Sequence, residues 1–407
     1  MAERWRRGRE FELEVASMAI PALGYEFRLP QVISTGAGCS SRLGEQAKAL
    51  GIAKALVVTD PQVRELPFVG QAVSNLAAAG IECELFSDLV PEPLSPSVSA
   101  GLAAFESARC DALIAIGGGS SIDVAKAIGG LATNGGRISD YEGANKLSRP
   151  IPPLIAMATT AGSGSEVTRN AIITDVERDV KMLIQSPYLI PSAAIVDPLL
   201  TFSLPPDVTM ATGMDALTHA IESYVSRRAQ PLTDGLALEA IRLVSGSLRQ
   251  AWANGENAVA RANMSMASLK AAMSFSNSSV ALVHGMARPI GAYFHVPHGL
   301  SNATILATVM EFSVPGNPER FADIAEAMGE NIEGLSLIEA ADAAVKAVRR
   351  LARDIGVPSL RSAGVDEARL RELAPKMARD AIASGSPGNN PRRASAEEIV
   401  DLYFQAL

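Results

Sequence analysis

From Phe27 to about Leu204, short β-branched runs alternate with alanine-rich stretches whose apolar residues recur at helical spacing. QVIS, SRLGEQAKAL, ALVVTD, VGQAVSNLAAAG and ECELFS follow one another in that order. Strand-length apolar runs separated by helical patterns predict a parallel sheet with crossover helices. DALIAI (111–116) runs into GGGSS and then IDVAKAIGGLA, a strand, glycine loop and helix, and PLIAMATTAGSGSEVT (153–168) repeats the arrangement. Beyond the SLPPD turn at 203–207, long Ala/Leu/Met-rich stretches keep helical periodicity almost to the end. SGSPGNNPRRAS (384–395) is a turn-rich loop, with Ser395 and Glu398 spaced as a capping box for the last helix. The pattern predicts three parts: an extension over 1–25, an α/β domain with a Rossmann-like parallel sheet over 26–204, and an all-α domain over 205–407.

Length and charge narrow the function. A chain of 407 residues, 48% hydrophobic and 20% charged, is long enough for two cores. A net charge of -8 gives no basic field for a phosphate backbone, so nucleic acid is not an expected partner. No run of roughly 18 uninterrupted apolar residues suggests a membrane span. Arg4, Arg6, Arg7 and Arg9 are followed by Glu10, Glu12 and Glu14, unlike a secretory signal, and a cytoplasmic location is expected. Cys39, Cys83 and Cys110 form no CxxC pair and read as unpaired thiols.

Two loops carry phosphate-binding chemistry. Gly117, Gly118 and Gly119, followed by Ser120 and Ser121, let backbone N–H groups approach an anion at a helix N-terminus. A tight strand-to-helix turn would need only one glycine. Thr159, Thr160, Gly162, Ser163 and Gly164 offer uncharged donors suited to ribose or pyrophosphate, although a surface loop has the same composition. STGAGCSSRLG (34–44) imitates a dinucleotide fingerprint but has Ser41 at the third glycine, and a GxG is more often an ordinary turn. Asp60, ending the next strand, would accept from ribose hydroxyls and repel a 2′-phosphate, favouring NAD over NADP. A solvated turn carboxylate competes with that reading.

The histidines are concentrated. The chain has four, of which His284, His295 and His298 fall within 15 positions and His219 sits one helical turn from Asp215. A lone imidazole on an apolar helix is usually a packed core residue; this clustering is not explained that way. A carboxylate with neutral imidazoles suits Fe²⁺ or Zn²⁺ with room for an oxygen ligand. Such a cation would polarise an alcohol oxygen while nicotinamide accepts the hydride.

Taken together, GGGSSIDVAKAI, TTAGSGSEVT, GMDALTHAIESY, LVHGMARPIGA, VPHGLSNA and NNPR followed by EEIVDLY resemble the iron-containing (group III) alcohol dehydrogenase family. The similarity to its lactaldehyde reductase (1,2-propanediol oxidoreductase) members runs from about Phe27 to the C-terminus. It implies the dehydroquinate-synthase-like fold, an α/β nucleotide domain and a helical domain with NAD(P) and one divalent ion in the cleft between them. Asp215, His219, His284 and His298 carry over as metal ligands. Asp60, Gly117, Gly118, Gly119, Ser120, Ser121, Thr159, Thr160, Ser163 and Lys181 carry over as cofactor positions. A homodimer or larger assembly is also implied.

One position departs from the family. Many members have a second histidine four residues after the first ligand of the HGMA segment; here Arg288 stands there. Arginine relays no protons at neutral pH, which leaves that role to His295 or water. Arg288 could instead select a substrate carrying a carboxylate, such as an ω-hydroxy acid or its semialdehyde. A salt bridge to a neighbouring acid, or contact with cofactor phosphate, is an equal expectation.

The expected reaction is reversible oxidation of a small primary alcohol to its aldehyde by direct hydride transfer. Alternatives are a maleylacetate reductase of the same fold, which usually lacks the full ligand set, and a dehydroquinate-synthase-like cyclase, which recycles NAD internally. A non-haem iron oxygenase would leave both glycine loops unexplained.

Overall fold

A computed structural model describes residues 24–407 apart from Pro91 and Asp179. The extension expected over 1–25 therefore lies outside the described residues except for Gly24 and Tyr25.

Nine strands all precede Asp197: β1 (Val32–Thr35), β2 (Lys54–Val58), β3 (Glu82–Phe86), β4 (Ala112–Gly117), β5 (Gly143–Ala144), β6 (Leu154–Ala158), β7 (Asn170–Asp175), β8 (Val180–Gln185) and β9 (Ala193–Val196). Six of them pair in parallel in the order β1-β9-β6-β4-β2-β3. Every residue of β4 (ALIAIG) and of β6 (LIAMA) is buried, as expected of central parallel strands covered on both faces. The covering helices are α1 (Leu43–Ala49), α3 (Pro67–Ala78), α4 (Ser95–Ser107) and α5 (Gly119–Asn134), and a single turn, α2 (Pro61–Arg64), follows β2 without burying a residue.

The chain leaves β2 for β3 on one side and returns to lay β4 on the other. The crevice between β2 and β4 is thus a reversal point of the strand order, where open α/β sheets take their ligands at the carboxyl ends. Asp60, the Gly117–Gly119 turn and the Thr159–Ser163 loop leave the carboxyl ends of β2, β4 and β6, three neighbouring strands.

A second sheet, in the order β5-β8-β7, is absent from the sequence reading. β7 and β8 form an antiparallel hairpin whose burial alternates along each strand. It packs on α5, and Lys126 of α5, although fully buried, ties the two together. Its Nζ donates to Ser165 Oγ (3.0 Å), Thr168 O (2.9 Å), Thr168 Oγ1 (3.1 Å) and Asn170 O (2.8 Å). Burial pulls the Lys126 ammonium down to about 8, against the attraction of Asp123 and Glu166.

Burial also pushes the neighbouring Glu166 carboxyl up to about 7. The folded chain then holds a proton that the unfolded chain releases above its ordinary 4.5. The stability this group contributes is complete below that value and is lost as pH rises to about 7. Glu166→Gln is therefore expected to raise Tm relative to the parent by roughly 2–4 °C more at alkaline than at acid pH. Melting curves on both sides of neutrality check this, and a pH-independent difference would contradict it.

From Pro206 onward the described structure is helical: α6 (Pro206–Val225), α7 (Pro231–Ala253), α8 (Ala258–Asn277), α9 (Leu282–Phe294), α10 (His298–Ser313), α11 (Pro318–Ala327), α12 (Leu337–Asp354), α13 (Glu367–Ala383) and α14 (Ala396–Gln405). One continuous core joins α6 to α14, with Met214, Leu217, Ile241, Leu282 and Tyr403 fully or almost fully buried in it. The capping box expected at Ser395 and Glu398 starts α14. No described helix is long and apolar enough to cross a membrane.

Candidate active site

Asp215 and His219 lie one turn apart on the buried face of α6, His284 lies in the first turn of α9, and His298 opens α10. The donor atoms of Asp215, His284 and His298 fall within 4.8 Å of one another. Asp215 Oδ1 is 3.8 Å from both His284 Nε2 and His298 Nε2, and Asp215 Oδ2 is 3.9 Å from His219 Nδ1. Ligands of a tetrahedral ion with bonds near 2.1 Å lie roughly 3.4 Å apart, so these spacings suit one ion after a small contraction. His219 stands beside the tight trio, stacked between Phe275 (centroids 4.2 Å) and His284 (4.5 Å).

Protonation favours metal binding. Burial, reinforced by repulsion from neighbouring imidazoles, holds His284 well below its ordinary value, and burial brings His298 down to about 4. Both are neutral near pH 7 and offer lone pairs. Burial alone would raise Asp215, but the imidazoles and the Asn302 amide outweigh it and keep the carboxyl below its usual value.

Two residues that sequence reasoning did not single out shape this cluster. Asn302, four residues after His298 on α10, donates through Nδ2 to Asp215 Oδ1 at 2.7 Å and lies 3.2 Å from His284 Nε2 and 3.3 Å from His298 Nε2. Three lone pairs converge on this one amide nitrogen, which has only two N–H groups to offer, an arrangement a cation would also satisfy. Asn302 Oδ1 and His219 Nδ1 are buried without a hydrogen-bond partner. This donor set and these orphaned atoms fit a divalent ion.

Glu222 is the second. It accepts from Val283 N (2.5 Å), His284 N (3.3 Å) and His284 Nδ1 (2.6 Å). The last contact fixes the proton on Nδ1 and directs Nε2 at the cluster. Burial pushes the Glu222 carboxyl up to about 7 even though the Val283 and His284 backbone N–H groups pull it down. Its sequence signal is weak: it lies seven residues after Asp215, on the same face of α6.

The two glycine-containing loops meet. A side chain at Gly119 would lie 2.8 Å from Ser163 Oγ, and one at Gly118 would touch Thr160. Gly119 is thus held without a Cβ by close approach, and it begins the 16-residue helix α5, whose N-terminal dipole and N–H groups suit an anion. Asp60 caps α2 through Oδ1, which accepts from Gln62 N (2.9 Å) and Val63 N (2.8 Å), while Oδ2 lies near Gly117. The STGAGCSS turn is filled from within, because the Asp197 carboxylate accepts from Gly38 N, Ser40 N and Ser40 Oγ. That leaves no anion site there and supports the ordinary-turn reading.

Lys181 of β8 is ion-paired with Glu92 at 2.7 Å and lies close to Gly291 of α9. His295 is exposed and caps α9 in a left-handed conformation (φ 57°). It is not among the residues lining the cavity beside the metal ligands. Arg288 does line that cavity, donates to Ser386 Oγ at 3.1 Å, and makes no ion pair with any described residue.

Two family models match nearly the whole chain. Residues 30–198 match the model described as iron-containing alcohol dehydrogenase, and residues 209–407 match that of the Fe-containing alcohol dehydrogenase family, C-terminal. The chain belongs to the iron-containing alcohol dehydrogenase family. The dehydrogenase is 44% identical over 386 residues to 1,3-propanediol dehydrogenase of Klebsiella pneumoniae, covering 94% of this chain and 99% of that one. It is 40% identical over 374 residues to lactaldehyde reductase of Escherichia coli strain K12, covering 91% and 96%. A solved structure of 1,3-propanediol oxidoreductase matches with a TM-score of 0.92 at 44% identity, covering 95% and 100%. The enzyme has the family's fold and is an oxidoreductase that interconverts alcohols and aldehydes, in a family that uses a divalent metal and NAD(H).

Proposed function

We propose that the dehydrogenase interconverts small primary alcohols and their aldehydes with NAD(H) in preference to NADP(H), with Fe²⁺ as its resident metal. The metal is held by Asp215, His219, His284 and His298. The observation that carries this reading is the convergence of Asp215, His284 and His298 donor atoms beside a cavity of about 280 Å³. A bound divalent cation would polarise the alcohol oxygen and lower its pKa, and nicotinamide would accept the hydride.

The chain's own residues do the rest. Neutral His284 and His298, with the Asp215 carboxylate, present lone pairs to one point, and Glu222 orients His284. Gly117, Gly118, Gly119, Ser120 and Ser121 place N–H and hydroxyl donors for the pyrophosphate, and Thr159, Thr160 and Ser163 close the opposite wall. Asp60 Oδ2, the oxygen not engaged in capping α2, accepts from a ribose hydroxyl and repels a 2′-phosphate, which favours NAD. Lys181 stands at the cofactor side of α9, held by Glu92. With His295 exposed outside the cavity, the alcohol proton reaches solvent by way of water and not through direct contact with His295. In this reading residues 26–204 are the nucleotide-binding domain, residues 205–407 the catalytic domain, and the enzyme works as a cytoplasmic homo-oligomer.

A panel of short alcohols and aldehydes with NAD(H) and NADP(H), run on metal-free, Fe²⁺-loaded and Zn²⁺-loaded protein, tests the proposal. Turnover with NAD(H), greatest with Fe²⁺ and abolished in metal-free protein, is expected. An NADP(H) preference would refute the role of Asp60, and oxygen uptake in place of NADH formation would refute the reaction.

A further inference from the structure

The cavity beside the metal ligands holds more positive charge than a site for a neutral alcohol requires. Arg169, Arg228 and Arg288 all line it, and none makes a salt bridge with a described residue. Arg288 lies deep, donating to Ser386 Oγ at 3.1 Å. Arg228 lies exposed. Arg169 is half-buried, its Nε is buried without a hydrogen-bond partner, and after burial the next cause lowering its value is repulsion from Arg228.

The acids of the cavity do not balance these cations. Asp123 accepts from Ser165 Oγ at 2.5 Å and Ile172 N at 2.9 Å and is attracted to buried Lys126. Asp215 belongs to the metal cluster. Glu222 attracts Arg288 and Glu26 attracts Arg169, but neither forms a salt bridge with them; guanidinium groups left without a salt bridge are costly in a partly dehydrated cleft, and an arriving anion would relieve that cost. Of the residues assigned to the cofactor only Ser163 lines this cavity, so the pyrophosphate donors at Gly117, Gly118 and Gly119 are not among its walls. Phe275, stacked on His219, and Val280 supply apolar wall in the cavity.

We propose that this cavity is an anion-selective substrate site: it takes a short alcohol or aldehyde whose far end carries a carboxylate, held by Arg288, Arg228 and Arg169. The proposal rests on the function above for its reacting end and adds the class of substrate. The carboxylate is fixed by charge-assisted hydrogen bonds, in the geometry guanidinium groups favour, while the carbonyl or hydroxyl end faces the Asp215 cluster.

The holoenzyme is assayed as a reductase with succinate semialdehyde and with butanal, its uncharged counterpart of equal chain length. The parent is expected to favour the semialdehyde in kcat/KM by about tenfold or more, and R288M and R228M each to cut that ratio by about tenfold. Added salt is expected to weaken the preference. Binding of succinate itself, measured by calorimetry, gives a readout independent of turnover and is expected to be lost in R288M. R228M, at an exposed position, keeps the test valid if R288M misfolds.

No preference in the parent, or a ratio unchanged in both variants, overturns the proposal, as does a parent that does not bind succinate. Reduction of butanal without succinate binding refutes the anion site alone. Succinate binding without reduction of either aldehyde supports the anion site and refutes the dehydrogenase reading of the reacting end.

Discussion

Replacing Asp215 with Asn is expected to lower kcat/KM by about 10³-fold, the largest loss among single substitutions in the ligand set. Asp215 is the sole carboxylate in a group otherwise made of neutral imidazoles, so Asp215→Asn removes the only negative charge offered to the cation. The fold should survive. Asn302 can still donate to the remaining carbonyl oxygen, and a buried charge is removed from a site where burial opposes it. The predicted signature is protein with parent-like melting in the metal-free form, little bound metal and correspondingly little activity. Metal analysis and steady-state kinetics on one preparation check it. A metal-free variant retaining parental activity would exclude Asp215 as a ligand that matters.

The next largest effect is expected at Glu222, which no reading of the sequence assigned. Glu222→Gln should weaken metal affinity by about 10–100-fold, the usual cost of losing the partner that orients a ligating histidine. The carboxylate accepts from two backbone N–H groups and from His284 Nδ1. An amide has one acceptor oxygen, and its NH₂ group would face one of those donors. His284 then loses either its orientation or its tautomer. Competition with a chelator of known affinity measures the change, and nitrogen chemical shifts of the imidazole report the tautomer. Unchanged affinity with an unchanged tautomer would mean that Glu222 serves packing alone.

The contrast between Asp215 and Glu222 shows what the linear chain reveals. Four histidines in 407 residues, three of them clustered and the fourth one turn from an aspartate, are a compositional rarity visible without any fold. Glu222 looks like a helix glutamate until α9 brings Val283 and His284 against it from 61 and 62 positions away. Arg169 and Arg228 were illegible for the same reason, since each sits in a polar stretch that reads as surface until the cavity closes around it. Asn302 has the i+4 spacing from His298 that could have marked it, but asparagine on a helix has too many ordinary uses to stand out.

The fold follows the same division. Central strands β4 and β6 were legible because burial on both faces demands unbroken apolar runs. The β7–β8 hairpin was not, although its alternation was present, because it forms a small sheet apart from the parallel one and its turn is charged. The STGAGCSS turn imitated a nucleotide loop because glycine meets the same backbone demand in both; Asp197, 159 residues beyond Gly38, decides between them.

The measurement that tests the account most directly is titration of metal-free enzyme with Fe²⁺ under anaerobic conditions, following bound metal and NAD-linked alcohol oxidation together. Activity is expected to rise in proportion to occupancy and to level off at a single ion per chain, with the Asp215→Asn protein showing neither binding nor recovery. Full activity before any metal is added, or saturation that proceeds unchanged in the Asp215→Asn protein, would contradict it.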